Sequence, residues 1–302
     1  MKARLVLVLV LLISMAGCGQ IPQLINRFPP DTNQTDTTTN VGEAHTTGQL
    51  LSAFFGLDNG LPLGADFQIC WGAANQDGVP VIFDHEVDVS TVQAGDFQVV
   101  TMSGKVGVPF CITMMPAVDP GELRTALLVG EFGSAKDDPP ATVEIVGNIL
   151  SKDHTINFKG AKIEVIPLSA GPTLVLAEVV PQDQWQLGKT SSTWGSGTGC
   201  PQGTKQAVRA VWAGGVKKPN GDEAGDAERL LYRVTLEQND GSIQSVIPFA
   251  LADLGDGDNN HLLCLDVTGA PLMVSFPAGH LVDPNHDLNP DTSIFISAQG
   301  QP

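Results

Sequence analysis

The strongest chemical signal in this chain lies in its last 69 residues. After Arg233 there is no Lys or Arg, yet there are nine Asp or Glu and three of the six histidines. Two runs concentrate the acids: Asp253-Leu254-Gly255-Asp256-Gly257-Asp258-Asn259-Asn260-His261 and Asp283-Pro284-Asn285-His286-Asp287-Leu288-Asn289-Pro290-Asp291. Oxygen donors alternating along a curled loop suit a hard cation, which takes about six to eight oxygens and tolerates irregular geometry. The expected ion is calcium, held by Asp256, Asp258 and Asn260, or by Asp283, Asn285, Asp287 and Asp291. Neither run is an EF-hand. The sixth and twelfth positions from Asp283 are Leu288 and Ile294, and from Asp256 they are His261 and Val267, where that loop needs Gly and Glu. The competing reading is a pair of Asx turns whose side chains satisfy local backbone amides.

Other chemistries have less support. His261, His280 and His286 could bring imidazole to a transition metal with Asp283 or Asp287, but they lack the helix-face spacing of an H-E-x-x-H site. Asp84-His85-Glu86 reads as a strand-end turn. No G-x-S-x-G elbow is present: Trp194 stands where the first Gly before Ser196 would be needed. Gly188-Lys189-Thr190 resembles the end of a phosphate loop, but Asp183 replaces its first Gly. Trp185, Trp194 and Trp212 could stack on sugar rings, although a sandwich core is the commoner place for Trp212.

The elements that would position these residues read as strands. The chain has 33 Gly and 21 Pro and no long helix-period stretch, which argues for short strands joined by turns. In the first half the candidates are 67–71, 79–83, 97–102, 110–114, 123–129, 142–150 and 162–166. In the second they are 173–180, 207–212, 230–236, 243–247, 262–267, 272–276 and 293–297. Residues 49–55 fit neither period, and 188–203 form a long Gly/Ser/Thr-rich connection. No internal repeat links the halves in sequence. The expected class is all-β, with one domain over 48–170 and a second, acidic β domain over 171–302.

The N-terminus reads as an address. Lys2 and Arg4 precede an apolar run from Leu5 to Ile13, and Met15-Ala16-Gly17-Cys18 follows. This resembles a bacterial lipoprotein signal over 1–17, which implies cleavage before Cys18 and lipid on its thiol. Residues 18–47 are polar, with Pro29-Pro30 and a Thr/Asn run, and read as a flexible tether. The implied location is the cell envelope, at the outer membrane if the organism has one, with the membrane reached through the lipid. Removing 1–17 leaves 16 − 2 = 14 bases against 33 acids, a net charge of −19, which excludes nucleic acid as a partner.

Four cysteines remain in an exported chain: Cys70, Cys111, Cys200 and Cys264. Two disulfides are expected. Three connectivities are possible, and loop closure favours neighbours within each half, Cys70 with Cys111 and Cys200 with Cys264.

Gly78-Val79-Pro80-Val81-Ile82-Phe83-Asp84, then Glu86-Val87-Asp88, then Gly95-Asp96-Phe97-Gln98-Val99 resemble the bacterial Ig-like domains of surface-layer proteins and adhesins. Residues 146–153 resemble their closing strand and turn, so the resemblance spans 62–168. It implies an Ig-like sandwich with a spacer or binding role and no catalytic residue. The sequence therefore predicts a lipid-anchored, non-catalytic binding or structural module with a calcium-binding acidic face and a protein or glycan ligand. The alternative is a metal-dependent hydrolase using the carboxylates and histidines of 253–291.

Overall fold

The computed structural model describes residues 25–26, 46–190 and 196–297. Eight strands build the first domain: β1 Leu50–Phe54, β2 Asp77–Phe83, β3 Phe97–Thr101, β4 Val106–Gly107, β5 Cys111–Thr113, β6 Thr125–Gly130, β7 Pro140–Ile145 and β8 Lys162–Ile166. They form a curled, sandwich-like sheet in the order β5-β6-β2-β1-β8-β7-β3-β4. All neighbours are antiparallel except the first and last strands, β1 and β8, which run parallel. Period-two alternation turns Val79, Val81 and Phe83 into the core, where Phe83 meets Phe97 and Phe158 edge-on at 6.3 and 4.8 Å.

The second domain repeats this plan. Its strands are β9 Leu174–Val179, β10 Gln206–Trp212, β11 Arg233–Glu237, β12 Ile243–Val246, β13 Ala250–Ala252, β14 Asn260–Leu265, β15 Ala270–Phe276 and β16 Thr292–Ser297. Their order is β13-β14-β10-β9-β16-β15-β11-β12, which is the first order with eight added to each label. Strand polarity is also the same, with β9 and β16 the parallel pair. Details recur as well. Both first strands carry a register shift, at Leu50/Ser52 and Leu174/Leu176. Both second strands end in a core aromatic, Phe83 or Trp212, and both seventh strands carry a proline at a register shift, Pro140 opposite Thr101 and Pro271 opposite Leu236. The turns after those strands match too: His154 and His286 have φ of 59° and 68°, and their amides donate to Ser151 O and Asp283 O at 2.8 and 3.1 Å.

The all-β, two-domain expectation is met, and so are both disulfides. Cys70, in the β1–β2 connection, joins Cys111 on β5; Cys200, in the β9–β10 connection, joins Cys264 on β14. Each bridge ties the first connection of its domain to the same region of the sheet. Other expectations need correction. Residues 49–55, unassigned by period, hold the central strand β1, whose apolar residues are buried with little alternation because both faces are covered. Residues 67–71 are not a strand: a single helical turn, Ala65–Gln68, and an exposed bend occupy the segment, with Phe67 and Trp71 in solvent. The short strands β4 and β13 escaped notice because two or three residues carry no readable period. Of the expected tether, only Ile25–Asn26 and Thr46–Thr47 are described, paired with β5 and with Ile156–Asn157; Cys18 and the signal lie outside the described residues.

The domains meet through equivalent strands. Leu51 and Val175, the extra residues at the two register shifts, cluster with Ile82, Leu176 and Val211. At about 1.5–3 kcal/mol for each fully buried aliphatic side chain, this patch supplies much of the docking. The equivalent β5–β6 and β13–β14 connections, 114–124 and 253–259, both run along the seam. Residues 114–117 and 257–259 share the wall of an apolar cavity of about 180 Å³ there with Phe54, Pro80 and Gly214.

Candidate metal centre

The β5–β6 connection contains Asp119-Pro120-Gly121-Glu122. Proline pre-sets φ for the second position of a tight turn and glycine takes the left-handed third position, here with φ of 91°. Glu122 N donates to Asp119 O at 3.0 Å, and Glu122 Oε2 accepts from Asp119 N at 3.0 Å. The turn thereby presents two carboxylates together. A side chain on Gly121 would overlap Arg209 Nη1, so the glycine also lets the second domain's arginine approach the backbone.

Asp253 comes from the counterpart connection in the second domain. It has φ of 65° and is held by its amide to Thr198 O at 2.8 Å. Residues 196–198 strap the two loops together. Ser196 Oγ donates to Asp119 Oδ1 at 2.6 Å, Gly197 N donates to Asp119 Oδ2 at 2.9 Å, and Lys189 Nζ donates to Ser196 Oγ at 2.5 Å. Asp119, Glu122 and Asp253 are all buried, and one oxygen of each lies within 4.8 Å of the others. Among the described residues this is the one group of three His, Cys, Asp or Glu side chains able to share an ion.

Nearby bases are largely committed elsewhere. Glu178 on β9 accepts from Arg124 Nη2 at 3.1 and 3.2 Å and from Arg209 Nη1 at 2.9 Å. Arg209 also donates to Gly121 O and Pro120 O at 3.0 and 2.6 Å, leaving only a 3.8 Å approach to Glu122. Burial, then the Glu122 charge, pushes Asp253 and Asp258 well above the carboxylate range and raises Asp256 to about 7. Glu122 is itself raised by burial. The seam thus holds buried negative charge that is incompletely paired: among the described residues Asp253 Oδ2 and Asp256 Oδ2 accept from no group, and one donor, Arg209 Nε, also goes unpaired.

The residues expected from sequence fall into two places. Asp258 is buried and accepts from Asn260 N and Nδ2 at 2.7 and 2.6 Å, and Asp256 accepts from Asp258 N at 3.4 Å. This run borders the seam. In the second run Asp283 Oδ1 accepts from Asp287 N, Asp287 from Asn285 Nδ2, and Asp291 from Ala278 N, at 2.8, 2.7 and 3.0 Å, while the buried Asp283 Oδ2 accepts from no group among the described residues. Asp283 is raised to about 6, chiefly by burial. His261 is sealed in the second core, its Nδ1 2.6 Å from Tyr232 Oη and its ring edge-on to Trp212; burial lowers it to about 4. His280 lies edge-on to Phe276, and His286 is exposed. No histidine joins a triple ligand group among the described residues. Trp185 and Trp212 are buried, which removes both from a sugar platform, and Trp194 lies outside the described residues.

Sequence reasoning missed Asp119 and Glu122. Their signal was an Asp-Pro-Gly-Glu turn, legible as a turn but silent about the loop it would face. No protein-family model matches this chain, and no curated protein matches it.

Proposed function

We propose that the chain is an exported, lipid-anchored, non-catalytic binding or structural module of the cell envelope, built from two Ig-like domains and stiffened by calcium on its acidic second half. The observation that carries this reading is the crowding of buried and half-buried carboxylates at 253–258 beside Glu122, where burial and mutual repulsion raise Asp253, Asp256 and Asp258 and oxygen donors outnumber free bases. A hard cation removes that repulsion and takes several oxygens together. Catalysis is disfavoured because activation of a water needs an open metal position and a base, while these carboxylates are enclosed and His261 is spent on Tyr232. The anchor rests on the charged, apolar and Met15-Ala16-Gly17-Cys18 pattern, and the unidentified ligand is a protein or glycan.

Two measurements test the reading. With free calcium a hundredfold above its dissociation constant, linkage adds about 2.7 kcal/mol, so the purified protein should melt several degrees higher in millimolar calcium than in chelator. No shift would end the calcium reading. Metabolic labelling with a fatty acid should mark the wild type and not Cys18→Ala; equal labelling would end the anchor reading.

A further inference from the structure

We propose that the cation is a clamp between the two domains, ligated by Asp119 and Glu122 from one and by Asp253 from the other. The inference rests on the cation-binding reading above but moves the ion from the acidic runs of the second domain to the seam.

Three observations converge on this trio. Oxygens bound to one calcium lie roughly 2.3–2.6 Å from it, so any two of them lie within about twice that distance of each other; the three carboxylates meet that limit at 4.8 Å. Asp253 is 4 % exposed and its Oδ2 accepts from no donor among the described residues, yet it faces the Glu122 carboxyl, acceptor against acceptor. Two buried carboxyls share such a contact only with a positive centre between them, either a proton or a metal ion. The third observation is topological. Residues 114–124 and 253–259 are the same connection in two domains of identical strand order, so the seam sets equivalent loops face to face and each brings carboxylates to it. The donors are all oxygen, which selects a hard cation over zinc or copper.

The clamp makes the domain orientation depend on calcium. Its ligands come from both domains, so binding should quiet both loops at once, whereas an ion confined to 283–291 would quiet only the second domain. The test uses the mature chain at pH 7.5, with calcium titrated calorimetrically into wild type, Glu122→Gln, Asp253→Asn and Asp287→Asn. The expected result is at least tenfold weaker binding in the first two variants and unchanged binding in Asp287→Asn. Hydrogen exchange of the wild type alone, with and without calcium, guards against variants that fail to fold; slower exchange is expected in both 119–124 and 253–258. Calcium binding that survives Glu122→Gln and Asp253→Asn but is lost in Asp287→Asn would overturn the clamp and leave the acidic-face reading intact. Absence of calcium binding by the wild type would overturn both and assign the carboxyl contact to a shared proton.

Discussion

Arg124 of the first domain reaches across the seam to Glu178 of the second and donates to both of its carboxylate oxygens, at 3.1 and 3.2 Å. Arg209 shares the same acid at 2.9 Å. All three side chains are buried, so the acid bridges two guanidiniums that would otherwise repel each other out of water, and Glu122, 3.8 Å from Arg209, supplies the second negative charge. Glu178→Ala should cost about 3–5 kcal/mol, the usual penalty for stripping a buried charge of its partner. Replacing all three by apolar residues of similar volume should cost much less. Urea melts of the single and triple variants check this, and a single-variant loss under about 1 kcal/mol would contradict the buried network.

Stability without divalent ions should fall as pH rises from about 4 to about 7. Asp256 has a folded-state pKa of about 7, above its ordinary 3.8, and Glu122, Asp253 and Asp258 are also raised. An acid raised in the folded state is neutral in both states at low pH; as pH passes the unfolded value the unfolded chain ionises first, and stability drains until the folded group ionises too. Asp256→Asn should flatten the slope approaching pH 7. Thermal melts in chelator between pH 4 and 8 measure it, and a melting temperature that climbs through this window in both proteins would refute the assignment.

Each disulfide should contribute about 4 kcal/mol on the chain-entropy account, since the closed loops span 41 and 64 residues. Cys70→Ala/Cys111→Ala and Cys200→Ala/Cys264→Ala should each lower the urea midpoint, and non-reducing peptide maps should return only these two pairings. A map linking the halves would contradict the described bridges.

Gly121→Ala should be costly for two reasons that add: the left-handed φ of 91° and the overlap with Arg209 Nη1. Left-handed strain alone is worth about 1 kcal/mol, so a loss well above that in chemical unfolding measures the second term. Gly104 also has positive φ but nothing near its missing side chain. Gly104→Ala should therefore cost only the first term, and equal losses at both positions would remove the close approach from the account.

Tyr232→Phe should destabilise by about 1–3 kcal/mol, because Tyr232 Oη accepts from Trp212 Nε1 at 2.9 Å and also contacts His261, and a buried N–H left without an acceptor carries its full desolvation cost. The calcium response should persist, because these rings belong to the second core and not to the seam. A variant that folds as well as wild type but loses calcium binding would show His261 to be part of the ion site.

The sequence by itself determined the class, the division into two halves, the number of disulfides and the acidic character of the second half. Those follow from local quantities: apolar alternation around residues such as Val79, Val81 and Phe83, breakers between short runs, an even number of cysteines, and a stretch without Lys or Arg. Only the tertiary structure decided that the halves share one strand order, because strand pairing depends on which edges meet and not on matching residues; Phe83 and Trp212 hold the same place with different side chains. It also decided which acids meet. Asp119 and Glu122 look like turn punctuation and Asp253 like one member of a run, and they converge because docking of β1 and β2 on β9 and β10 brings equivalent loops together across 134 residues of chain. The 283–291 run, as acidic in sequence, folds back on itself, with Asp283 accepting from Asp287 N and Asp287 from Asn285 Nδ2, so among the described residues its carboxylates join no group of three that could share an ion.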